Sequence, residues 1–272
     1  MILPVIGAAL TVTELPTFRD WLFDKDRDLE LQTFHAPDML IGDGWKAAAD
    51  EARKHLDGFK GRLGIHGPFW GLSFSNPDPE IRAIVRKRML TGLDICAAVG
   101  ATQMVIHSPY TTWDYHNLDN YPTARAMVIE AAHDCLAQAV RRAEDQGVML
   151  VIENIEDIDP RDRRVLAESF GSEAVKLSID TGHAHYAHGS TGAPPVDYFV
   201  QSAGEMLGHV HLQDAEGYAD RHWAIGQGTI RWHAVFAALA AVESHPRLIL
   251  ELRDKAGILP SMAWLEREGL AA

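Results

Sequence analysis

Eight short apolar runs recur along this chain, each followed by a stretch of helical periodicity, and six of them stop at a histidine, aspartate or glutamate. The stops are His66 in RLGIHGPF, His107 in MVIHSPY, Glu153 in LVIENIED, Asp180 in LSIDTGHAH, His211 in HVHLQD and Glu251 in LILEL. Nearly continuous apolar runs of this length suit parallel strands buried on both faces. Parallel strands need a crossover between each pair, and helices supply it. Closed on themselves, such strands end on one common face, and polar terminal side chains meet there. The predicted fold class is α/β: a single (β/α)8 barrel over residues 1–272, with a metal site at the C-terminal face of the strands.

The strands are predicted at 3–8, 29–34, 62–66, 103–107, 149–153, 176–180, 209–212 and 248–251. Between them, 78–99 repeats Ile81, Ile84, Val85, Met89, Leu93 and Ala97 at helical steps, and 123–146 repeats Ala126, Ile129, His133, Leu136 and Val140. Gly100 and Gly147 follow these two helices, at the position where a left-handed stop favours glycine. Shorter helices are predicted at 45–56, 161–170, 195–206, 230–242 and 257–268. No linker, low-complexity tract or repeat interrupts the alternation.

A length of 272 residues is close to the roughly 250 of a typical barrel, and 47% hydrophobic residues supply a sizeable core. There is no apolar run of membrane-spanning length. The opening MILPVIGAAL lacks a basic region and a cleavage signature, so it reads as the first strand rather than a signal peptide. Only two cysteines occur, Cys96 and Cys135, both in helical patterns; buried thiols in a reducing, cytoplasmic compartment are expected. A net charge of −13 argues against nucleic acid as a partner, although a local basic groove on an acidic body is compatible with it. The basic clusters at 82–88 and 161–164 fall on predicted helices and read as solvated faces.

The fourteen histidines matter for their placement. Asp180 and His183 form an Asp-x-x-His step that aims both side chains at one cavity if a helical turn follows. His209 and His211 share a strand face. His222 follows Asp220 in the turn-rich ADRHWAIGQG. Imidazole with carboxylate suits zinc, manganese or iron(II). A lone strand-end histidine is commonly a hydrogen-bonded structural residue, but six polar ends at corresponding positions are not explained that way. His35, His185, His188 and His209 keep the structural reading, with His209 orienting a neighbour. His55, His133, His233 and His245 read as surface or packing residues.

The segments HGPF, IHSP, IEN, IDTGHAH, HVHLQD, DRHWAIGQG and the final LEL resemble the xylose isomerase-like TIM-barrel superfamily, from about residue 3 to residue 265. That group includes sugar isomerases, epimerases and endonuclease IV, the enzyme of abasic-site repair. The combination is specific for the superfamily and much less so for one activity. In the endonuclease IV arrangement, the resemblance implies one metal on His66, His107 and Glu153. A second shares Glu153 and takes Asp180, His211 and Glu251, and a third takes His183, Asp220 and His222. In single-metal sugar epimerases the ion sits on Glu153, Asp180, His211 and Glu251, and the two glutamates also move protons. One to three zinc or manganese ions are therefore expected.

Two activities follow from the resemblance. The first is a divalent-metal-dependent isomerase or epimerase of a sugar or sugar derivative, working by proton transfer through a metal-stabilised enediolate, with Glu153 and Glu251 as the catalytic pair. Phe69, Trp70, Tyr110, Trp113 and Trp223 are the expected apolar walls for a small carbohydrate, and Arg221 and Arg253 the candidates for a phosphate. The chain departs from ketose 3-epimerases, which resemble one another in a His-x-Gly-Glu-x-Asn-Arg segment where this chain has HLQDAEG. The second activity is a multi-zinc phosphodiester hydrolase like endonuclease IV. Against a DNA substrate, the loop TFHAPDMLIGDGW has no Lys or Arg before Lys46. A third reading is a barrel that keeps its ligands for binding or stability alone. No membrane partner is expected, and loop aromatics closing a neighbour's mouth are compatible with a homo-oligomer.

Overall fold

Every strand pairs in parallel with the next in sequence, and the last pairs with the first. The computed structural model describes residues 3–272. The strands are β1 Gly7–Leu10, β2 Leu29–Leu31, β3 Leu63–His66, β4 Gln103–His107, β5 Met149–Glu153, β6 Val175–Asp180, β7 Leu207–Leu212 and β8 Arg247–Leu250. They form a closed barrel in the order of the chain. The helices are α1 Leu15–Asp24, α2 Lys46–His55, α3 Pro79–Val99, α4 Thr112–Asn117, α5 Ala124–Gln146, α6 Pro160–Ser169, α7 Thr181–Thr191, α8 Val196–Ala203, α9 Trp232–Leu239 and α10 Ile258–Arg267. This is the predicted (β/α)8 TIM barrel.

Register brings the polar strand ends together. His107 lies beside Glu153, and Asp180 beside His211. The Glu251 N–H donates to the Leu212 carbonyl, so Glu251 continues the β8 ladder one residue past the strand.

Several boundaries differ from those predicted. The first strand is Gly7–Leu10 rather than 3–8. Pro4 has no N–H to give a ladder, and Leu3 and Val5 are exposed. The second strand stops at Leu31, and a single 3-10 turn over Thr33–His35 takes the rest of the predicted run. The predicted helix 195–206 ends at Ala203, and 230–242 narrows to Trp232–Leu239. The long helices α3 and α5 begin one residue after the predicted starts and end as predicted. Gly100 (φ 78) and Gly147 (φ 65) take the left-handed stop positions.

One surface reading is corrected. Arg163, expected on a solvated helix face, is fully buried. Its Nε lies 3.1 Å from Asp157 Oδ1, and its Nη1 donates to the Ile152 carbonyl at 2.6 Å. The guanidinium thus ties α6 to β5 just before Glu153. Arg82 and Arg86 do lie towards the surface, paired with Asp134 of α5. Cys96 and Cys135 are buried free thiols. Among the described residues, no helix is long and apolar enough to cross a membrane.

Candidate metal centre

Glu153, the last residue of β5, stands at the middle of the site. Its Oε1 lies 3.3 Å from His211 Nδ1 and 3.4 Å from His183 Nδ1. Its Oε2 lies 3.8 Å from His66 Nε2 and 3.9 Å from His107 Nε2. Contacts continue outward from there. His211 Nδ1 is 3.2 Å from Glu251 Oε2, and His222 Nδ1 is 3.6 Å from the same oxygen. Asp220 Oδ1 is 3.1 Å from His222 Nε2 and 3.6 Å from His183 Nε2. All nine predicted ligands therefore lie in one continuous cluster at the carboxyl ends of the strands.

Four overlapping groups in and beside that cluster have ligand atoms within 4.8 Å of one another: His66, His107 and Glu153; Glu153, Asp180, His211 and Glu251; Asp180, His183 and His222; and Glu30, His209 and His211. The third differs from the expected trio in one member. Asp180 takes part directly, and Asp220 sits at its outer edge with a side chain 42% exposed.

Four of the histidines have one nitrogen tied and the other directed into the cluster. His66 Nδ1 is tied to the Gly67 carbonyl at 3.0 Å, His183 Nδ1 to the Asn154 carbonyl at 3.0 Å, and His222 Nδ1 to the Glu251 carbonyl at 2.9 Å. A carbonyl only accepts, so each tied nitrogen carries a proton, and the other is the one that can offer a lone pair once it is unprotonated. His211 is tied instead through Nε2 to the Glu30 carboxylate at 3.0 Å. His107 has no backbone tie of this kind; its ring stacks on Phe69, with centroids 4.2 Å apart.

Loop residues hold the outer ligands. Asp180 is the N-cap of α7 and accepts from the His183 N–H at 2.7 Å, which fixes the Asp-x-x-His step in its helical turn. Gln213 donates to Asp180 at 3.1 Å and to Asp220 at 3.0 Å, and accepts from the His222 N–H at 2.8 Å. A Cβ on Gly182 would lie 2.2 Å from the Gln213 amide, so only glycine lets that side chain pass. His222 itself has φ 52, a left-handed conformation that a side chain rarely adopts and that Gln213 helps to hold. Asp214 is buried and accepts from the N–H groups of Gly226 and Ala215 and from the Trp232 indole, pinning the GQG turn beneath this loop. None of Glu30, Gln213 and Asp214 was among the predicted site residues.

Without a cation the cluster balances its charge with protons. Burial opposes charge on His183 and His211, but the carboxylates around them prevail and hold both imidazoles protonated well above the usual range. His222 is raised to about 9, burial again being outweighed, here by Asp220 and Glu251. Burial lifts Asp180 to about 6 and lowers His107 to about 3. Glu153 resists burial and stays well below the ordinary range because His211 and His183 face it.

The donor set suits a divalent ion. Glu153 Oε2, Asp180 Oδ2 and His211 Nδ1 are buried and have no hydrogen-bond partner among the described residues. Leaving such atoms unpaired is costly, and all three belong to the four-ligand group. A cation between them would satisfy all three and displace the imidazole protons.

The predicted substrate contacts are placed unevenly. Phe69 lies against both His66 and His107. Trp70 is 62% exposed and stacks on His35, which continues the wall of rings outward. Trp113 stands 77% exposed on α4, whereas Tyr110 is buried and packs beneath the loop. Trp223 bridges to Asp214, and the Arg221 guanidinium lies 5.5 Å from its ring while pairing with Glu216 at 2.6 Å.

The model of the xylose isomerase-like TIM barrel family matches residues 27–268. Among curated relatives, the protein MJ1311 of Methanocaldococcus jannaschii is 23% identical over 196 residues, covering 68% of this chain and 62% of that one. The chain spans less than two thirds of the length of the curated relatives it matches first. Among solved structures, the TTHB071 protein from Thermus thermophilus, soaked with ZnCl2, is 26% identical with a TM-score of 0.71, covering 96% of this chain and 98% of that one. A D-tagatose 3-epimerase-like protein shares the fold at 18% identity and a TM-score of 0.77, covering 98% of each chain. With the family model spanning most of a closed eight-stranded barrel, the chain belongs to the xylose isomerase-like TIM barrel family.

Proposed function

We propose that this chain is a divalent-metal-dependent isomerase or epimerase of a sugar or sugar derivative. The observation that carries the reading is the group Glu153, Asp180, His211 and Glu251, whose ligand atoms lie within 4.8 Å of one another at the barrel mouth and of which the first three each keep a buried atom without a hydrogen-bond partner. A divalent ion bound there would supply a Lewis acid for a substrate carbonyl and its neighbouring hydroxyl. The two glutamates reach the group from β5 and from the end of β8, so they approach a substrate from different sides. Glu153, at the end of β5, is placed to take a proton. Glu251 has Oε1 bonded to Gln32 Nε2 at 2.5 Å, and Gln32 in turn accepts from Lys255 at 3.2 Å, a chain that orients Glu251 to return one. Phe69 and Trp70 present an apolar wall to the carbon face of a sugar.

The shared fold with a D-tagatose 3-epimerase-like protein is in keeping with a carbohydrate substrate. The HLQD segment favours a sugar derivative over a simple ketose. Gln213 and Asp214 are committed to the loop, in the segment where ketose 3-epimerases carry a different pattern. The five candidate ligands beyond the four-residue group favour a second reading, a multi-zinc phosphodiester hydrolase.

Metal analysis of protein purified without added metal, beside two assays, separates them. About one manganese or magnesium per chain, with exchange of a substrate carbon-bound proton into solvent, is the expected result. About three zinc per chain with cleavage of abasic-site DNA would overturn it in favour of the hydrolase.

A further inference from the structure

We infer that Glu30, on β2, is not itself a ligand in the Glu30, His209 and His211 group but the positioning residue that fixes the His211 imidazole for metal binding. The inference rests on reading Glu153, Asp180, His211 and Glu251 as a metal group, and not on the reaction proposed for it. His66, His183 and His222 are each oriented by a backbone carbonyl, a neutral acceptor. His211 alone is oriented by a carboxylate, and that carboxylate is buried.

The hydrogen bonds around Glu30 determine which atoms carry protons. His211 Nε2 lies 3.0 Å from Glu30 Oε2 and His209 Nε2 lies 3.2 Å from the same oxygen. A carboxylate only accepts, so both Nε2 atoms donate. The other nitrogen of His209, Nδ1, is 2.9 Å from Ser178 Oγ. Ser178 therefore donates its hydroxyl proton to Nδ1. The opposite arrangement would set a bare Nε2 against the carboxylate. Ser178, His209 and Glu30 form a short relay running from β6 through β7 to β2. Its outcome is that His211 Nδ1, between Glu153 and Glu251 at 3.3 and 3.2 Å, is the nitrogen left as a lone pair once the imidazole gives up its second proton.

Fold stability alone does not account for this arrangement. Glu30 Oε1 is buried without a hydrogen-bond partner among the described residues, so the carboxylate is only half satisfied. A half-satisfied buried charge is costly to the fold, and a neutral acceptor would orient His211 as carbonyls orient the other three. What a carboxylate adds is a stronger acceptor, which makes the opposite imidazole nitrogen a better donor to a cation.

The test compares zinc binding by the full chain and by Glu30→Gln, which keeps the size of the side chain and removes its charge. Zinc affinity is read by competition with a chromophoric chelator, and folding by circular dichroism. The folded variant is expected to bind zinc about 10- to 100-fold more weakly. Affinity within about twofold of the wild-type chain, in a variant that folds, would show that Glu30 is structural only and overturn the inference. Nitrogen-15 NMR of the histidines in the zinc-loaded wild-type chain needs no variant, and so covers a variant that fails to fold. His211 coordinated through Nδ1 and protonated at Nε2 supports the inference; coordination through Nε2 overturns it. A wild-type chain that binds no divalent ion overturns both this inference and the proposed function. Zinc binding that depends on Glu30, without any proton exchange from sugars, leaves this inference standing and sinks the isomerase reading alone.

Discussion

Glu153 belongs to two of the four ligand groups, so a single substitution there reaches both. In Glu153→Gln the shared group loses a charged ligand and the proton acceptor together. Activity is expected to fall by at least about 100-fold, the contribution of a positioned acid–base group, with metal content reduced and the far-ultraviolet dichroism of a barrel unchanged. Full activity in the variant would remove Glu153 from the site. The histidines set a second expectation, in pH. In the metal-free chain His222 is raised from its ordinary 6.5 to about 9. A raised folded-state value stabilises fully below about 6.5 and is lost as pH climbs through about 9. Thermal midpoints of chelator-treated protein should therefore decline across that interval, while zinc affinity, which needs the same nitrogens bare, should increase. A metal-free midpoint that rises from pH 6.5 to 9 would contradict this. The nine candidate ligands stand out in the sequence because six lie at strand ends and the other three, His183 in the first turn of α7 and Asp220 and His222 in the loop after β7, follow them. Glu30 does not. Its significance lies in His211, 181 residues away, and nothing in the local LEL pattern distinguishes it from an exposed alternating position.

Elements with sharp chemical boundaries were read correctly from the sequence, and those held by tertiary contacts were missed. Helix α3 opens with the Asp78 cap on the Glu80 N–H and Pro79 at its first position, and closes at Gly100. Each of these signals is local. Helix α7, TGHAHYAHGST, has almost no apolar periodicity; Asp180 starts it, and its place is set by the metal cluster and by Gln213 passing Gly182. The Arg163 error has the same origin. An arginine among arginines reads as solvated, and only the fold reveals Asp157 and two strand carbonyls around it. Two substitutions test the element scale. Gly100→Ala places a side chain at φ 78 and should cost about 1 kcal/mol, read from urea unfolding, with metal content untouched. Asp214→Ala should cost about 3 kcal/mol, because it strands the buried donors of Ala215 and Trp232 together with the partly buried N–H of Gly226. It should also release the loop that carries Asp220 and His222, read as faster amide hydrogen exchange there, while the four-residue group still binds its ion. A variant that loses stability but keeps this loop as protected from exchange as in the wild-type chain would show that the loop does not depend on Asp214.

At the scale of the whole barrel, the site is a concentration of buried charge that the fold carries at a cost. Glu30, Glu153, Asp180 and Glu251 are all buried at one end of the same strand ring. In the metal-free chain, protons on His183, His211 and His222 offset part of that charge. Glu153 Oε2, Asp180 Oδ2 and His211 Nδ1 still lack partners among the described residues. A cation could bind these groups only where the barrel assembles them, since the candidate ligands are spread from His66 to Glu251 in sequence. Metal bound there would therefore stabilise the folded state by mass action, by about 4 kcal/mol when free ion exceeds the dissociation constant roughly a thousandfold. In a domain of this size each kcal/mol moves the midpoint by about 2–4 °C, so chelation should lower it by roughly 8–16 °C. The decrease should reverse on adding zinc or manganese, and the midpoint should rise with the logarithm of free metal. The β1–β8 pairing closes the barrel and leaves no open sheet edge at which unfolding could begin. The metal-dependent shift should then appear in one transition, at the same temperature by tryptophan fluorescence and by far-ultraviolet dichroism. Chelated and metal-loaded protein unfolding at the same temperature would mean that the converging carboxylates and imidazoles hold no ion, and that the barrel carries its buried charge on protons alone.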